Sequence, residues 1–219
     1  MAVVELRQYM LHPGRRDALI DLFEREFVES QEAVGMTLIG QFRDLDDPDR
    51  FVWLRRFPDM EARRRSLEAF YLGPVWQAHR AVANATMIDS DDVLLLRPLE
   101  PGSPFTPGER GPVGATGPGP GRVVGGVHAL GSAGIASPEG LQGAVRRLRE
   151  AGATSVLTLI TETAENTFPR LPVREGESVL VWLAAFPDAQ SAEAAHACVP
   201  GPFLQRLRLE PTARSALHG

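Results

Sequence analysis

An internal echo constrains this chain more than any other feature. Val52-Trp53-Leu54, two residues, then Phe57-Pro58-Asp59 returns as Val181-Trp182-Leu183, two residues, then Phe186-Pro187-Asp188. Gly73-Pro74 with Gln77 and Arg80 likewise matches Gly201-Pro202 with Gln205 and Arg208 at nearly the same spacing. Two echoes in one order predict a tandem duplication. Residues 100–122 between the copies are rich in Pro and Gly, lose much entropy on ordering and offer little apolar surface. The expected division is a first repeat over 1–99, a linker over 100–122 and a second repeat over 123–219.

Each copy spells the same order of elements. In the first, Val3 to Met10 alternates as a strand, and Arg15 to Ala33 carries Leu19, Leu22, Phe23 and Phe27 at helical spacing. Strands at Met36 to Arg43 and Phe51 to Phe57 follow. Asp59 caps a helix with Leu67, Phe70 and Tyr71 on one face, Gly73-Pro74 starts a short helix, and a last strand lies within Thr86 to Arg97. The second copy runs from Val123 to Leu130, through a helix opened by Ser137-Pro138 and a strand at Ser155 to Thr161, to a strand at Ser178 to Phe186 and a helix from about Ala189. A β-α-β-β-α-β unit is ferredoxin-like, with helices on one sheet face and the other face needing cover. Two fused copies supply that cover to each other, which predicts an α+β fold of two tandem ferredoxin-like repeats closing into an intramolecular dimeric α/β-barrel.

This order, with Glu5-Leu6-Arg7-x-Tyr9, Pro13-Gly14, Phe57-Pro58-Asp59 and Gly73-Pro74-Val75-Trp76, resembles the NIPSNAP family of the dimeric α/β-barrel superfamily. The segment from Asn166-Thr167-Phe168-Pro169 through Val173-Arg174-Glu175-Gly176-Glu177 is similar to the loop of its tandem bacterial members. The resemblance implies a fold and a cavity between the sheets. It carries over no set of catalytic residues.

Alternation puts Glu5, Arg7 and Tyr9 on one face of the first strand, and the expectation is that this face points into the barrel while Val4 and Leu6 meet the helices. Trp53 and Arg55 share a face in the third strand, and Gln41 with Arg43 is placed on the face of Thr37 and Ile39. Such a wall suits a small aromatic or polyketide-like acid: Arg pairs with a carboxylate or enolate, and aromatic rings sandwich its ring. Arg7, Gln41, Trp53, Arg55, Trp76, Phe168 and Arg170 are the expected ligand contacts. Glu5, Tyr9 and His79 are the expected proton-handling groups, with His79 placed by the Gly-Pro turn. Glu5 with Arg7 or Arg55 equally fits a plain cross-strand salt bridge. Glu5, Arg7 and Arg55 align with Gly125, Val127 and Ala184, so the polar equipment belongs to the first copy. The long 162–176 connection either covers the site or is simply held down by Phe168 and Leu171.

Composition excludes other chemistry. All 23 basic residues are Arg, so no lysine serves a Schiff base or phosphate loop. The net charge of -5 opposes nucleic-acid binding. Cys198 stands alone and reads as a small buried hydrophobe; the histidines have no zinc spacing, and neither cofactor nor metal is expected. The Arg63-Arg64-Arg65 run reads as a solvated helix face. No segment reads as a leader or membrane span, which gives the expectation of a cytoplasmic, bacterial-type protein with room for a homodimer. Two functions follow as expectations: a cofactor-independent biosynthetic enzyme oxygenating, cyclising or isomerising the acid between the sheets, or a non-catalytic ligand-binding or protein-interaction module.

Overall fold

A computed structural model describes residues 1–100, 107–131, 135 and 137–219. The first repeat contains β1 (Val3–Leu11), α1 (Arg16–Leu22), a π-helical turn (Phe23–Phe27), α2 (Val28–Glu32), β2 (Thr37–Asp44), β3 (Arg50–Phe57), α3 (Met60–Leu72), α4 (Pro74–Asn84) and β4 (Met87–Pro98). The second contains β5 (Arg122–Ala129), α5 (Pro138–Glu150), β6 (Ser155–Thr161), β7 (Val179–Phe186), α6 (Ala189–Ala197) and β8 (Gln205–Pro211). The expected caps are in place: Asp59 accepts from the Ala62 amide, and Ser137 from the Gly140 amide. Residues 101–106 of the expected linker lie outside the described residues.

The eight strands form one closed barrel in the order β1-β3-β2-β8-β5-β7-β6-β4, every neighbour antiparallel. Within each repeat the order is that of a ferredoxin-like sheet. Two short seams join the repeats, Phe42–Asp44 of β2 against Leu209–Pro211 of β8, and Leu96–Pro98 of β4 against Leu159–Thr161 of β6. Closure removes every open edge.

The barrel interior corrects the sequence reading. Val4, Leu6, Val52, Leu54, Leu94 and Leu96 of the first repeat meet Val127, Leu157, Leu159, Val181, Leu183 and Leu207 of the second in one continuous apolar cluster. An eight-stranded barrel leaves an interior just wide enough for side chains, and here mostly aliphatic ones fill it. Gln8 and Gln205 exchange amide hydrogen bonds at 3.0 and 2.7 Å, and Leu217 joins the cluster from the C-terminal segment. The space expected to hold a ligand is therefore packed. Glu5, Arg7, Tyr9, Trp53 and Arg55 face the other way, under the helices.

Three further readings change. A register shift between Leu38 and Gly40 turns Ile39 into the barrel while Gln41 stays on the helix side opposite Trp53, so the two do not share a face. Strand pairing matches Glu5, Arg7 and Tyr9 to Val124, Gly126 and His128, one residue from the expected alignment, because Arg55 lies opposite Glu5 as Ala184 lies opposite Val124. The second echo does not survive in three dimensions. Gln77 and Arg80 sit in α4, whereas Gln205 and Arg208 sit in β8, so the second repeat lacks a counterpart of α4. Cys198 is exposed rather than buried. No helix among the described residues is long and apolar enough to cross a membrane.

Candidate functional site

The helix-facing side of β1 and β3 is roofed by α1, the π-helical turn, α2, α3 and α4. Leu19, Phe23 and Phe27 descend from the first helical segment, Leu67 and Phe70 from α3, and Ala83 from α4. The rings interlock edge to face: Phe23 stands 4.8 Å from Trp53, Tyr9 5.8 Å from Trp53, and Phe27 5.7 Å from Phe70.

At the centre of this layer Glu5 is fully buried among three guanidinium groups. Arg55 Nε and Arg7 Nη1 donate to its Oε2 at 2.7 and 3.0 Å, and Arg63 Nε donates to Oε1 at 2.7 Å. The cross-strand salt bridge anticipated as a structural alternative is thus present, enlarged by a partner from α3. Arg63 is the residue that sequence reasoning misplaced. Arg64 and Arg65 are solvated and pair with Glu61 and Glu68, but Arg63 is as buried as Leu67. Its spacing from Leu67 and Phe70, on the apolar stripe of α3, is the signal that could have found it. Gln31 was missed too, although it lies one turn after Phe27; its Oε1 accepts from Arg55 Nη1 at 2.9 Å.

Burial would raise the Glu5 pKa, but Arg55, Arg7 and Arg63 reverse that and hold the carboxyl well below the usual range. Burial also pushes the Tyr9 phenol up, with Arg7 opposing it, so Tyr9 is a proton donor at neutral pH. Arg7 Nε donates to the Tyr9 hydroxyl at 3.1 Å. The Arg7 guanidinium lies 5.5 Å from the Trp53 ring and that of Arg55 5.0 Å from it, cation–π contacts that hold both in place.

Buried polar atoms without partners concentrate here. They include both side-chain polar atoms of Gln41, Nε1 of Trp53, and Nη2 of both Arg55 and Arg63. Since folded proteins pair nearly all such groups, a cluster of unpaired ones on one face marks a place where something else supplies the partner. Of these residues Trp53 also lines a cavity of about 30 Å³, with Tyr9, Gln31, Phe70, Tyr71 and Trp76 among the others, which has room for about one water molecule.

Tyr71 and Trp76 also line an outer groove of about 190 Å³ with Gln77, Arg80, Phe168, Arg170 and Leu171. The 162–176 loop of the second repeat thus lies over the first. Phe168 is buried, its ring stacked at 6.0 Å on Tyr71, and Leu171 packs beside it, as the anchoring alternative expected. Asn166 Oδ1 accepts from Arg63 Nη1 at 2.9 Å and ties the loop to the buried cluster.

The structure therefore brings together Glu5, Arg7, Tyr9, Trp53 and Arg55, sets Gln41 beside Trp53, and puts Trp76, Phe168 and Arg170 at the outer groove. His79 is elsewhere. It lines neither space: on the face of α4 that carries Trp76 and Ala83, its Nε2 stands 3.5 Å from Glu26 and its ring 6.3 Å from that of Phe27. Among the described residues no group of His, Cys, Asp and Glu side chains is placed to hold a metal ion.

Comparison with known proteins agrees with this architecture. Two solved structures span the whole chain, each described as a "putative monooxygenase". One, from Lactobacillus acidophilus, covers 98% of this chain and 97% of its own at 13% identity and a TM-score of 0.54. The other, from Fusobacterium nucleatum, covers 98% and 95% at 9% identity and a TM-score of 0.56. At such identities they share the fold alone. An uncharacterized NIPSNAP-like domain protein from Burkholderia xenovorans is 29% identical over 48% of this chain and 92% of its own, with a TM-score of 0.44. No curated protein matches the chain significantly. The NIPSNAP family model matches residues 4–101, a span that runs from β1 through β4, and the N-terminal repeat of this chain is therefore a NIPSNAP domain, closed into a barrel by a second ferredoxin-like repeat.

Proposed function

We propose that this chain binds a small aromatic or polyketide-like acid in its first repeat, between the sheet and helices α1–α4 rather than between the two repeats. The observation that carries the reading is that Tyr71 and Trp76 stand as a shared wall between the outer groove and the inner cavity. Rotation of those two rings would join the spaces. A ring could then lie among Tyr71, Trp76 and Phe168, its acid group near Arg80 and Arg170 at the rim and a carbonyl against the Tyr9 hydroxyl.

The same geometry ranks binding above turnover. Cofactor-free oxygenation, cyclisation or isomerisation needs a proton acceptor beside the ligand, and Glu5, held ionised by three arginines, is a poor one. The enzymatic reading rests on Tyr9, whose hydroxyl accepts from Arg7 and keeps its own proton to give to a carbonyl or enolate oxygen.

Titration of Trp fluorescence with benzoates, hydroxybenzoates and β-keto acids tests the proposal. Saturable quenching is expected for the wild type, with Kd raised about 5- to 10-fold in Tyr9→Phe and in Arg170→Ala. No quenching across the panel, or unchanged Kd in both variants, overturns it. Product analysis on the tightest-binding acids then separates turnover from binding.

A further inference from the structure

The buried cluster around Glu5 is not electrically balanced. Three guanidinium groups share one carboxylate, all four side chains at most 1% exposed. Glu5 is the only carboxylate hydrogen-bonded to the trio among the described residues; the other acceptors, Gln31, Met36, Asn166, Tyr9 and the Ser90 carbonyl, are neutral. Buried charges are normally compensated, because removing them from water unpaired is far more costly than any hydrogen bond returns. A water molecule could accept from the unpaired Nη2 atoms, yet it would bring no countercharge. Only an anion supplies both.

The orphan atoms are distributed as such a site requires. Arg55 and Arg63 come from different elements, β3 and α3, and both donate Nε to the same Glu5 carboxylate at 2.7 Å. Each spends Nη1 on a neutral amide, Gln31 or Asn166, and each leaves Nη2 buried and unpartnered. Glu5 therefore ties both guanidinium groups to one carboxylate, Arg55 through Oε2 and Arg63 through Oε1. Guanidinium and carboxylate groups match in geometry, so a carboxylate-sized acceptor is the countercharge that two such unpaired Nη2 atoms call for.

We infer that Arg55 and Arg63 form a buried anion site that takes a carboxylate-sized monoanion on their Nη2 atoms. The site does not depend on the aromatic-acid reading. Its anion comes either from solution or from the carboxylate of a ligand that reaches through the helices. Asn166 is then a positioning residue, coupling the occupied cluster to the 162–176 loop.

The test uses the full chain and two probes, formate and bromide, each replacing gluconate at constant ionic strength. Thermal unfolding of the wild type should show a saturable rise in Tm of about 5–10 °C once the anion reaches about 100 times its Kd. Arg63→Lys and Arg55→Lys keep the charge but remove Nη2, and in either the rise should be lost. If both lysine variants fold and respond as the wild type does, or if the wild type shows no saturable rise, the site does not exist. Should neither variant fold, anomalous diffraction from bromide-soaked wild-type crystals decides. A peak within hydrogen-bonding reach of both Nη2 atoms supports the site, and no peak there overturns it. Benzoate that displaces formate identifies the anion as a ligand's own carboxylate; benzoate that binds alongside it identifies a free anion.

Discussion

Trp182 donates its indole N–H to Nε2 of His128 at 3.1 Å, whereas Trp53, at the equivalent place in the first repeat, leaves Nε1 buried with no partner. The register equates His128 with Tyr9 and Gly126 with Arg7. A Cβ at Gly126 would meet Phe203 at 2.6 Å, so in the second repeat that ring occupies the room Arg7 takes in the first. The second copy has filled its helix-side pocket and paired its tryptophan, with His196 Nε2 left unpaired there. The other keeps unpaired donors.

This asymmetry sets an order of stability costs. Trp182→Phe strands His128 Nε2, adding about 1–3 kcal/mol for an unsatisfied buried acceptor to the packing loss. Trp53→Phe deletes a donor that was already unpaired and keeps an aromatic face under Arg55. Urea unfolding should therefore find Trp182→Phe the less stable of the two by at least about 1 kcal/mol. Equal costs would show that Trp53 Nε1 does have a partner in solution.

Replacing Glu5 by Gln should destabilise the chain by about 3–5 kcal/mol, because three buried arginines lose the one carboxylate that pairs with them among the described residues. The folded pKa of Glu5 lies below its ordinary value of 4.5, so its contribution is complete above that value and drains away as pH falls beneath it. Wild-type stability should drop with acid in this window, and the portion due to Glu5 should be missing from the Glu5→Gln profile. Parallel profiles would mean that Glu5 is not held as the geometry implies.

Much of the fold was legible from periodicity and duplication, because eight strands with alternating apolar positions and Phe-Pro-Asp corners leave few arrangements. The orientation of the faces was not. In β1 alternation separates Val4 and Leu6 from Glu5, Arg7 and Tyr9, but it does not say which set faces the barrel. The width of the barrel decides it, and width is a property of the closed sheet rather than of any strand. Arg63 was hidden in the same way. In a run of three arginines composition says solvent, and only the α3 register, read with a buried Glu5 waiting beneath it, says core.

Histidines in the second repeat predict a second acid-sensitive range. Burial lowers the pKa of His128, with Arg206 adding to it against the Pro202 carbonyl. Burial lowers that of His196 as well, with Arg206 and Arg208 assisting and the Gly125 backbone and Glu193 opposing. Both contribute stability that is complete above the ordinary value of 6.5 and lost as pH falls toward their lower folded values. His196 stands 5.7 Å from the Trp182 ring and 6.0 Å from Phe203, so Phe fits its surroundings. Urea midpoints measured from neutral pH down to about pH 5.5 should fall less steeply for His196→Phe than for the wild type. An unchanged slope would remove His196 from the account.

The loop that crosses from the second repeat gives the last expectation, and two contacts decide it. Asn166 accepts from Arg63 Nη1 at 2.9 Å and from the Phe168 amide at 3.1 Å, while its Nδ2 donates to the Leu171 carbonyl at 3.0 Å. One side chain thus shapes the loop tip and fastens it to the buried cluster. Phe168, stacked on Tyr71, adds about 0.5–1.5 kcal/mol beyond its buried area. In Asn166→Ala the tip loses its internal bonds and Arg63 loses a second acceptor, so opening of 162–176 should become more frequent by a factor of about 10 for each 1.4 kcal/mol removed. Phe168→Ala should open the loop without disturbing Arg63. Limited proteolysis within 162–176 should accelerate in both variants, while hydrogen exchange at β1 and β3 amides should rise only in Asn166→Ala, because only there is the Glu5 cluster touched. If both leave β1 and β3 protection unchanged, the loop is anchored by its aromatic contact alone, and the Asn166 link to Arg63 has no energetic weight.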